Sequence, residues 1–229
     1  AAVVPGSEVV VEHVYTGPGR TGFVDVLARM GADICHAADT GDLTVCCSAL
    51  TGTVVHAHEV PGLVDEVPVL AVAAACAEGE TRFCGVGELR VKESDRLATV
   101  EEMLAAMGAA VHVEGDVLVV RGGRLRGASV RSHHDHRIAM AAAVAALVAD
   151  GPTTIDGWES VATSYPAFIV TDDVGRVYEG TCPCGREGVT MEAVRRLTRA
   201  AARGCAMAID RKPSALVPTE ETDNESDDV

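Results

Sequence analysis

Two cations and a carboxylate stand close together in residues 89–96, which read LRVKESDR. If Ser94 begins a helix, Lys92 and Arg96 lie four residues apart and can face the same way. Fixed cations of this kind can bind an anionic substrate, and the Glu93 carboxylate between them can move a proton on it. The segment therefore predicts acid–base chemistry on an anion.

A second polar cluster occupies residues 133–140, which read HHDHRIAM. Asp135 is a good N-cap for the alanine-rich helix that follows, and the start of a helix favours bound anions. Arg137, in the first turn, adds a guanidinium that fits a carboxylate or a phosphate through two hydrogen bonds. The three histidines with Asp135 could instead hold zinc, but no second pair of ligands at zinc-site spacing accompanies them. We therefore predict an anion site without a metal.

These residues also have purely structural interpretations. Arg96 could be a surface residue of a helix, paired with Asp95 or Glu101. Lys92 could be an ordinary solvated lysine. Asp65 precedes Glu-Val-Pro and an alanine-rich stretch, so it could cap a helix. A capping residue at the edge of a cleft can also act on a substrate, so both interpretations of Asp65 remain open.

The composition excludes several classes of function. The chain has 229 residues and a net charge of −15, which argues against binding nucleic acid through bulk electrostatics. It contains no uncharged apolar run long enough to span a bilayer and no recognisable signal peptide. Its eight cysteines are too few for a disulfide scaffold in a chain of this length. We expect a cytoplasmic protein, and an acidic, lysine-poor surface fits either a salt-adapted cytosol or a GC-rich genome.

The elements that position these clusters belong to an internal repeat. Residues 27–33 (LARMGAD) return as residues 104–110 (LAAMGAA), and the glycine of each copy is placed to end a helix. An alanine-rich stretch, a glycine turn and a strand pattern occur three times, in residues 1–11, 71–84 and 139–155. The spacing corresponds to units of about 75 residues. We predict two full units and the end of a preceding one.

The repeat predicts an α/β fold in which each unit reads strand, helix, strand, helix, strand. Alanine-rich helices should pack inside, with the sheets outside, and the first unit should be truncated. The pattern ends near Phe168, so we assign residues 1–170 to one domain, 171–216 to a divergent tail and 217–229 to a disordered acidic end. The tail carries Cys182 and Cys184, which alone are too few ligands for a tetrahedral zinc site.

Five segments in chain order resemble the enolpyruvyl transferase family. They are RTG at 20–22, VDEVP at 64–68, LRVKESDR at 89–96, HHDHRIAM at 133–140 and VATSYP at 161–166. The resemblance runs from residue 1 to about 166. It implies a domain of repeated units and the transfer of an enolpyruvyl group from phosphoenolpyruvate to the hydroxyl of shikimate 3-phosphate, with release of phosphate. That chemistry requires no metal and no cofactor.

The resemblance also implies a role for each residue of the two clusters. Arg96 and Arg137 bind phosphoenolpyruvate, and Lys92 contacts the shikimate phosphate and ring. Asp65 acts on the attacking hydroxyl, while Glu93 lies near the methylene carbon of phosphoenolpyruvate. We expect these five side chains to converge on one face of the domain.

Other positions are supporting or depart from the family pattern. His136 is expected to help orient Arg137. Glu88 stands where some members carry an asparagine that contacts the substrate, and Thr163 stands where some carry a lysine that contacts phosphoenolpyruvate. These two contacts are therefore not expected here.

The resemblance covers only part of a family enzyme, whose active site lies between two domains. Because the chain begins with alanine rather than methionine, we expect a fragment or a processed chain that needs an N-terminal domain for a complete site. A different enolpyruvyl transferase, such as the UDP-N-acetylglucosamine enzyme, is an alternative, and so is an inactive fragment or interaction domain. Within the tail, residues 172–186 and 204–206 loosely resemble acyl-protein synthetases, which suggests a fusion or a frameshift remnant.

Overall fold

The computed structural model describes residues 1–14, 21–37, 39–164, 173–181 and 187–196, with residues 162–164, 173–181 and 187–196 described by their backbone only. The helices are α1 (Gly22–Arg29), α2 (Val67–Cys76), α3 (Arg96–Ala106), α4 (His136–Ala146) and α5 (Glu159–Ser164). The strands are β1 (Glu8–Val11), β2 (Asp33–Ala37), β3 (Asp42–Cys46), β4 (Val54–Val55), β5 (Glu80–Cys84), β6 (Ala110–Glu114), β7 (Val117–Arg121), β8 (Ser129–Arg131), β9 (Thr153–Asp156), β10 (Asp173–Thr181) and β11 (Glu187–Arg196).

These strands form three sheets, and the second and third share one topology. The orders are β1-β3-β2, β4-β5-β7-β6 and β8-β9-β11-β10. In the two larger sheets, the first-named strand runs parallel to its neighbour and all other pairs are antiparallel. The first sheet has the antiparallel part of the same order. Each copy of the internal sequence repeat therefore corresponds to one sheet of the fold.

Each unit contains more strands than the sequence pattern predicts. The alternating stretches after α1 and α3 each form a hairpin, because Gly41 and Gly115 turn the chain with positive φ angles of 76° and 60°. A short strand then leads to the next buried helix, so a unit reads strand, helix, three strands, helix. The alanine-rich stretch at residues 1–6 is a turn, with strand β1 following it as expected.

The predicted glycine ends of two helices are confirmed. After α1, the Gly31 amide donates to the Ala28 carbonyl at 2.9 Å and the Ala32 amide donates to the Leu27 carbonyl at 2.9 Å. The repeat after α3 has the same pair of bonds around Gly108. Both glycines have positive φ, 91° and 84°, which closes each helix and directs the chain into the next strand.

Helices α2 and α4 lie in the core, as predicted. In α2 only Val69 and Cys76 are not buried, and α4 buries Ile138 and most of its alanines. Alanine faces let the two helices approach closely, while larger side chains from the sheets, such as Phe83 and Leu118, fill the surrounding space. The starts of α2, α3 and α4 meet, because Arg96 at the start of α3 bonds to Asp65 ahead of α2 and to Asp135 ahead of α4.

The strand pattern continues beyond the predicted domain boundary at residue 170. Strand β11 pairs with β9, and β10 pairs with β11, so they take the places that β7 and β6 hold in the second sheet. Cys182, Cys184 and the acidic end at 217–229 lie outside the described residues. None of the helices in the described ranges is long and apolar enough to cross a membrane.

Candidate active site

Three helix starts carry the candidate residues. Asp65 lies in the 3-10 turn Val64–Glu66 that leads into α2. Arg96 is the first residue of α3, and Arg137 lies in the first turn of α4. Since these helices pack against each other, residues that are 31 to 72 positions apart in the sequence come into contact.

Arg96 is fully buried and is bound to three carboxylates. Its Nε donates to Asp135 Oδ2 at 2.8 Å and its Nη2 donates to Asp135 Oδ1 at 3.4 Å. Its Nη1 donates to Asp65 Oδ1 at 2.9 Å, and its Nη2 also donates to Glu93. The alternative interpretation of a surface arginine paired with its helix neighbours is therefore wrong.

Asp135 connects the two arginines from a position without solvent exposure. Besides the two bonds from Arg96, it accepts one from Ser94 Oγ at 3.0 Å and one from the Arg137 backbone amide at 2.9 Å. The last bond is an N-cap, as the sequence predicted. One buried carboxylate thus fixes the Arg96 side chain and the first turn of α4.

The buried pair shifts both pKa values toward the charged forms. Burial by itself opposes ionisation, but hydrogen bonds from Arg96 and its charge outweigh it and lower the pKa of the Asp135 carboxyl. The pKa of the Arg96 guanidinium is raised: burial again opposes the charge, and the bonds and charges of Asp135, Glu93 and Asp65 outweigh it. Both groups therefore remain charged in the core.

Asp65 bridges Arg96 to Arg137. Its Oδ2 accepts from Arg137 Nη2 at 3.3 Å, and its backbone carbonyl accepts from Arg137 Nη1 at 3.2 Å. Arg137 also lies 3.8 Å from a Glu66 carboxylate oxygen. The capping role considered for Asp65 is wrong: Glu66 is the N-cap of α2, and its side chain makes no capping bond. The Asp65 carboxylate faces the arginines instead.

Helix α3 begins later than the sequence suggested. Asp95, not Ser94, is its N-cap and accepts from the Ala98 amide at 3.1 Å. Lys92 therefore precedes the helix, and its ammonium donates to Glu88 Oε1 at 2.7 Å. The structure brings Asp65, Glu93, Arg96 and Arg137 into one contact network, whereas the described contact of Lys92 is with Glu88.

The loop before α4 has an unusual backbone. His133 and His134 both have positive φ angles, 53° and 58°, which few residues other than glycine adopt. His133 Nε2 lies 2.9 Å from Glu102, and the Ser132 hydroxyl donates to the Gly157 carbonyl at 3.0 Å. These contacts hold the turn that delivers Asp135 into the core. In the described residues, no group of three or more His, Cys, Asp or Glu side chains could hold a metal.

Four carboxylates surround the two guanidinium groups, and their side chains differ in solvent exposure. The Glu93 side chain is 53% exposed and that of Asp65 is 34% exposed, whereas Asp135 is buried. An incoming anion can therefore replace Glu93 or Asp65 on the arginines, while Asp135 stays in place. Sequence reasoning found the cap at Asp135 but missed its bond to Arg96, because nothing local connects positions 39 residues apart.

The fold and the site define a domain of repeated strand–helix units with an arginine–carboxylate site where its buried helices begin. The chain belongs to the EPSP synthase family, since the family model for EPSP synthase (3-phosphoshikimate 1-carboxyvinyltransferase) matches residues 1–171. A second model, for the acyl-protein synthetase LuxE, matches residues 139–213 and so overlaps the end of the first match and the tail.

Individual EPSP synthases are also similar to this chain. The 3-phosphoshikimate 1-carboxyvinyltransferase of Herpetosiphon aurantiacus is 51% identical over 176 residues, 73% of this chain and 41% of the relative. That of Methylobacterium sp. is 52% identical over 179 residues, 74% of this chain and 40% of the relative. The solved EPSP synthase of Acinetobacter baumannii has a TM-score of 0.69 and 41% identity, and the match covers 72% of this chain and 41% of that one. The chain spans about two fifths of the length of these relatives.

Proposed function

We propose that this domain forms one wall of a site that transfers the enolpyruvyl group of phosphoenolpyruvate to a hydroxyl of shikimate 3-phosphate. The observation that carries the proposal is the pair of arginines joined by Asp65, with Glu93 beside them. Both substrates are polyanions, and guanidinium groups fit carboxylate and phosphate. The names of the relatives favour shikimate 3-phosphate over UDP-N-acetylglucosamine as acceptor.

The ion pairs of the free domain suggest how substrate binding begins the reaction. Phosphoenolpyruvate takes the place of Glu93 on Arg96 and of Asp65 on both arginines. Each displaced carboxylate becomes available for proton transfer, because the cation that held it is now paired with the substrate. Asp135 keeps Arg96 in position throughout, so the cation need not reorganise.

The two freed carboxylates then have complementary tasks. Glu93 takes up a proton when it leaves Arg96 and delivers that proton to the methylene carbon, which leaves a cationic centre next to the carboxylate. Asp65 accepts the proton of the attacking hydroxyl and passes it to the departing phosphate. In the second stage Glu93 removes a proton from the new methyl group while the carbon–oxygen bond to phosphate breaks. The products are the enolpyruvyl ether and phosphate, and the chain needs no oxidant or reductant for either stage.

Lys92 binds the acceptor in this scheme. Its ammonium is paired with Glu88, whose side chain is 59% exposed and can yield to a phosphate. A flexible ammonium forms such contacts without the strict geometry of arginine. His136 is assigned the supporting role of orienting Arg137.

A second domain is part of the proposal, because a cleft with one wall cannot hold two substrates in reacting geometry. We expect the chain alone to release no measurable phosphate from phosphoenolpyruvate and shikimate 3-phosphate, and an added N-terminal domain of a relative to restore turnover. A phosphate-release assay with and without that domain tests this. Substantial turnover by the chain alone would refute the need for a second domain, and no turnover in the mixture would refute the enzyme assignment. The free cysteines are in keeping with a cytoplasmic site of action, which cell fractionation can test.

A further inference from the structure

A short loop of residues 91–94 carries Lys92 and Glu93. It leaves the 3-10 helix Gly87–Val91 and ends at Asp95, the N-cap of α3. Its first residue is 81% exposed, so burial does not hold the loop at that point. The direction in which the ammonium and the carboxylate point therefore depends on polar contacts at the two ends of the loop.

Arg90 joins the two ends of this loop. It lies immediately before the loop, and its Nη1 is 3.6 Å from Asp95 Oδ2 at the other end. Its Nη2 donates to the Gly115 carbonyl at 2.8 Å, and its Nε lies 4.0 Å from Asp116 Oδ1. Gly115 and Asp116 form the turn between β6 and β7. One guanidinium thus ties both ends of the loop to this hairpin.

The hairpin turn is itself held in place by the segment before the 3-10 helix. The Val86 amide donates to the Asp116 carbonyl at 2.9 Å. A Cβ added at Gly87 would lie 2.7 Å from an Asp116 carboxylate oxygen, so the two segments are in direct contact. Behind the turn, β7 places Leu118 and Val120 in the core. The turn to which Arg90 bonds is therefore anchored to the core.

The contacts of Arg90 differ from those of the loop side chains in their relation to the substrates. Lys92 and Glu93 are each ion-paired in the free domain, and the proposed substrates replace both pairs. The bond from Ser94 Oγ to Asp135 holds one end of the loop throughout. The described partners of Arg90 are not replaced by either substrate. Its contacts therefore persist at the stage when the loop has lost two of its ion pairs.

We propose that Arg90 is a positioning residue, which holds the loop of residues 91–94 in its reacting geometry while both substrates are bound. The inference rests on the proposed function, because it concerns where Lys92 meets the acceptor and where Glu93 moves its proton. The arginines that bind phosphoenolpyruvate are held separately, through Asp135. Loss of Arg90 should therefore affect the acceptor and the proton transfer more than the binding of phosphoenolpyruvate.

Steady-state kinetics of Arg90→Met, in the mixture with an N-terminal domain, test this. The variant keeps the length of the side chain and loses its donors. We expect kcat to fall about tenfold and the KM for shikimate 3-phosphate to rise about three- to tenfold, because both groups of the loop are less well placed. The KM for phosphoenolpyruvate should stay within about twofold of the wild-type value.

Arg82→Met is the matched control. The Arg82 side chain is 38% exposed, against 40% for Arg90, and its ion pairs are with Glu80 and Glu114 on strands of the same sheet. It should leave kcat and both KM values unchanged. A purely structural role of Arg90 would reduce the amount of folded enzyme, and so lower kcat with both KM values unchanged. That result, or kinetics equal to those of the control, would overturn the proposal.

A spectroscopic test requires no turnover and separates the two proposals. A wild-type mixture without turnover would refute the proposed function, and the loop can then be studied in a chain with Lys92→Met and Glu93→Gln, which lacks both ion pairs. Adding Arg90→Met to that chain should lower the ¹⁵N order parameters of residues 91–94 from about 0.85 to below about 0.6, whereas adding Arg82→Met should not. Equal order parameters in the two chains would overturn the role of Arg90 in holding the loop.

Discussion

Asp135 holds the candidate site together at the scale of single residues. It is fully buried, forms two bonds with the Arg96 side chain and caps the helix that carries Arg137. A buried ion pair is costly to break, because loss of one partner leaves the other charge in a medium of low dielectric constant. The same carboxylate thereby serves both the stability of the core and the placement of the cations.

Replacing Asp135 with asparagine should lower the free energy of unfolding by roughly 3 kcal/mol, since Arg96 then keeps only its more exposed partners. Urea unfolding of the two chains measures this. Asp116→Asn is the matched control, because that carboxylate is 70% exposed and lies 4.0 Å from Arg90. Equal losses in both variants would contradict the role of Asp135.

The pH dependence of this difference follows from the pKa shift. The pKa of Asp135 in the folded chain lies below the ordinary carboxyl value of 3.8, so the native state favours its ionised form. Its stabilisation is fully present above that value and declines as the pH falls through the lower, folded value. The gap between the wild-type and Asp135→Asn chains should therefore be constant from neutral pH to about pH 5 and shrink only below about pH 4. A gap that shrinks above pH 5 would contradict the direction of the shift.

Glu93 is paired with Arg96 in the free domain, so in the proposed reaction it would both compete for that cation and move a proton. A substitution at Glu93 can separate the effect on binding from the effect on chemistry. In the complex with an N-terminal domain, Glu93→Gln should lower kcat by about 10²- to 10⁴-fold, because the group that moves the proton is lost. The KM for phosphoenolpyruvate should not rise, since the variant no longer offers Arg96 a competing charge. Steady-state kinetics test both parts, and a raised KM with unchanged kcat would show that Glu93 binds rather than reacts.

At the scale of elements, local signals end the helices and packing joins them. The glycines after α1 and α3 have the same backbone conformation and the same pair of hydrogen bonds, so each unit reverses direction at the same point. The turn at His133 and His134 also has positive φ angles, but no glycine forms it. Contacts from Ser132 to Gly157 and from His133 to Glu102 hold it.

Gly108→Ala should destabilise the chain by about 1–2 kcal/mol, because alanine in a left-handed conformation is strained. The added Cβ meets nothing nearer than the Arg126 side chain at 3.9 Å, so the cost comes from the backbone and not from a clash. Gly123→Ala is the control: its φ is not in the left-handed range and no atom lies within 4 Å of the added Cβ. Chemical denaturation should show the loss for Gly108 alone.

At the scale of the whole molecule, the third sheet contains strands from both family matches, to EPSP synthase and to LuxE. The EPSP synthase match ends at residue 171, yet β10 and β11 complete a sheet with the order of the second. The LuxE match at 139–213 includes these two strands. The two matches overlap at residues 139–171, and the predicted domain division at residue 170 stays a prediction.

Truncation after Phe168 tests that division. The contacts among α2, α3, α4 and the first two sheets are retained in the shortened chain, so most of the cooperative unfolding transition should remain. The midpoint should fall, because β9 loses its pairing with β11. Circular dichroism during thermal unfolding measures both effects. An unfolded truncated chain would show that the last strands are essential to the domain.

The sequence by itself determined the repeat, the glycine helix ends, the buried alanine-rich helices and the cap at Asp135. Each of these depends on neighbours within a few residues or on a period that recurs along the chain. Only the tertiary structure decided that Arg96 is buried among three carboxylates and that Asp65 faces the arginines instead of capping α2. The contacts of Arg96 with Asp65 and Asp135 join residues 31 and 39 positions apart, and they exist because three helices pack with their starts together. Local patterns cannot encode which side chains meet there, because burial and partner choice are properties of the packed core.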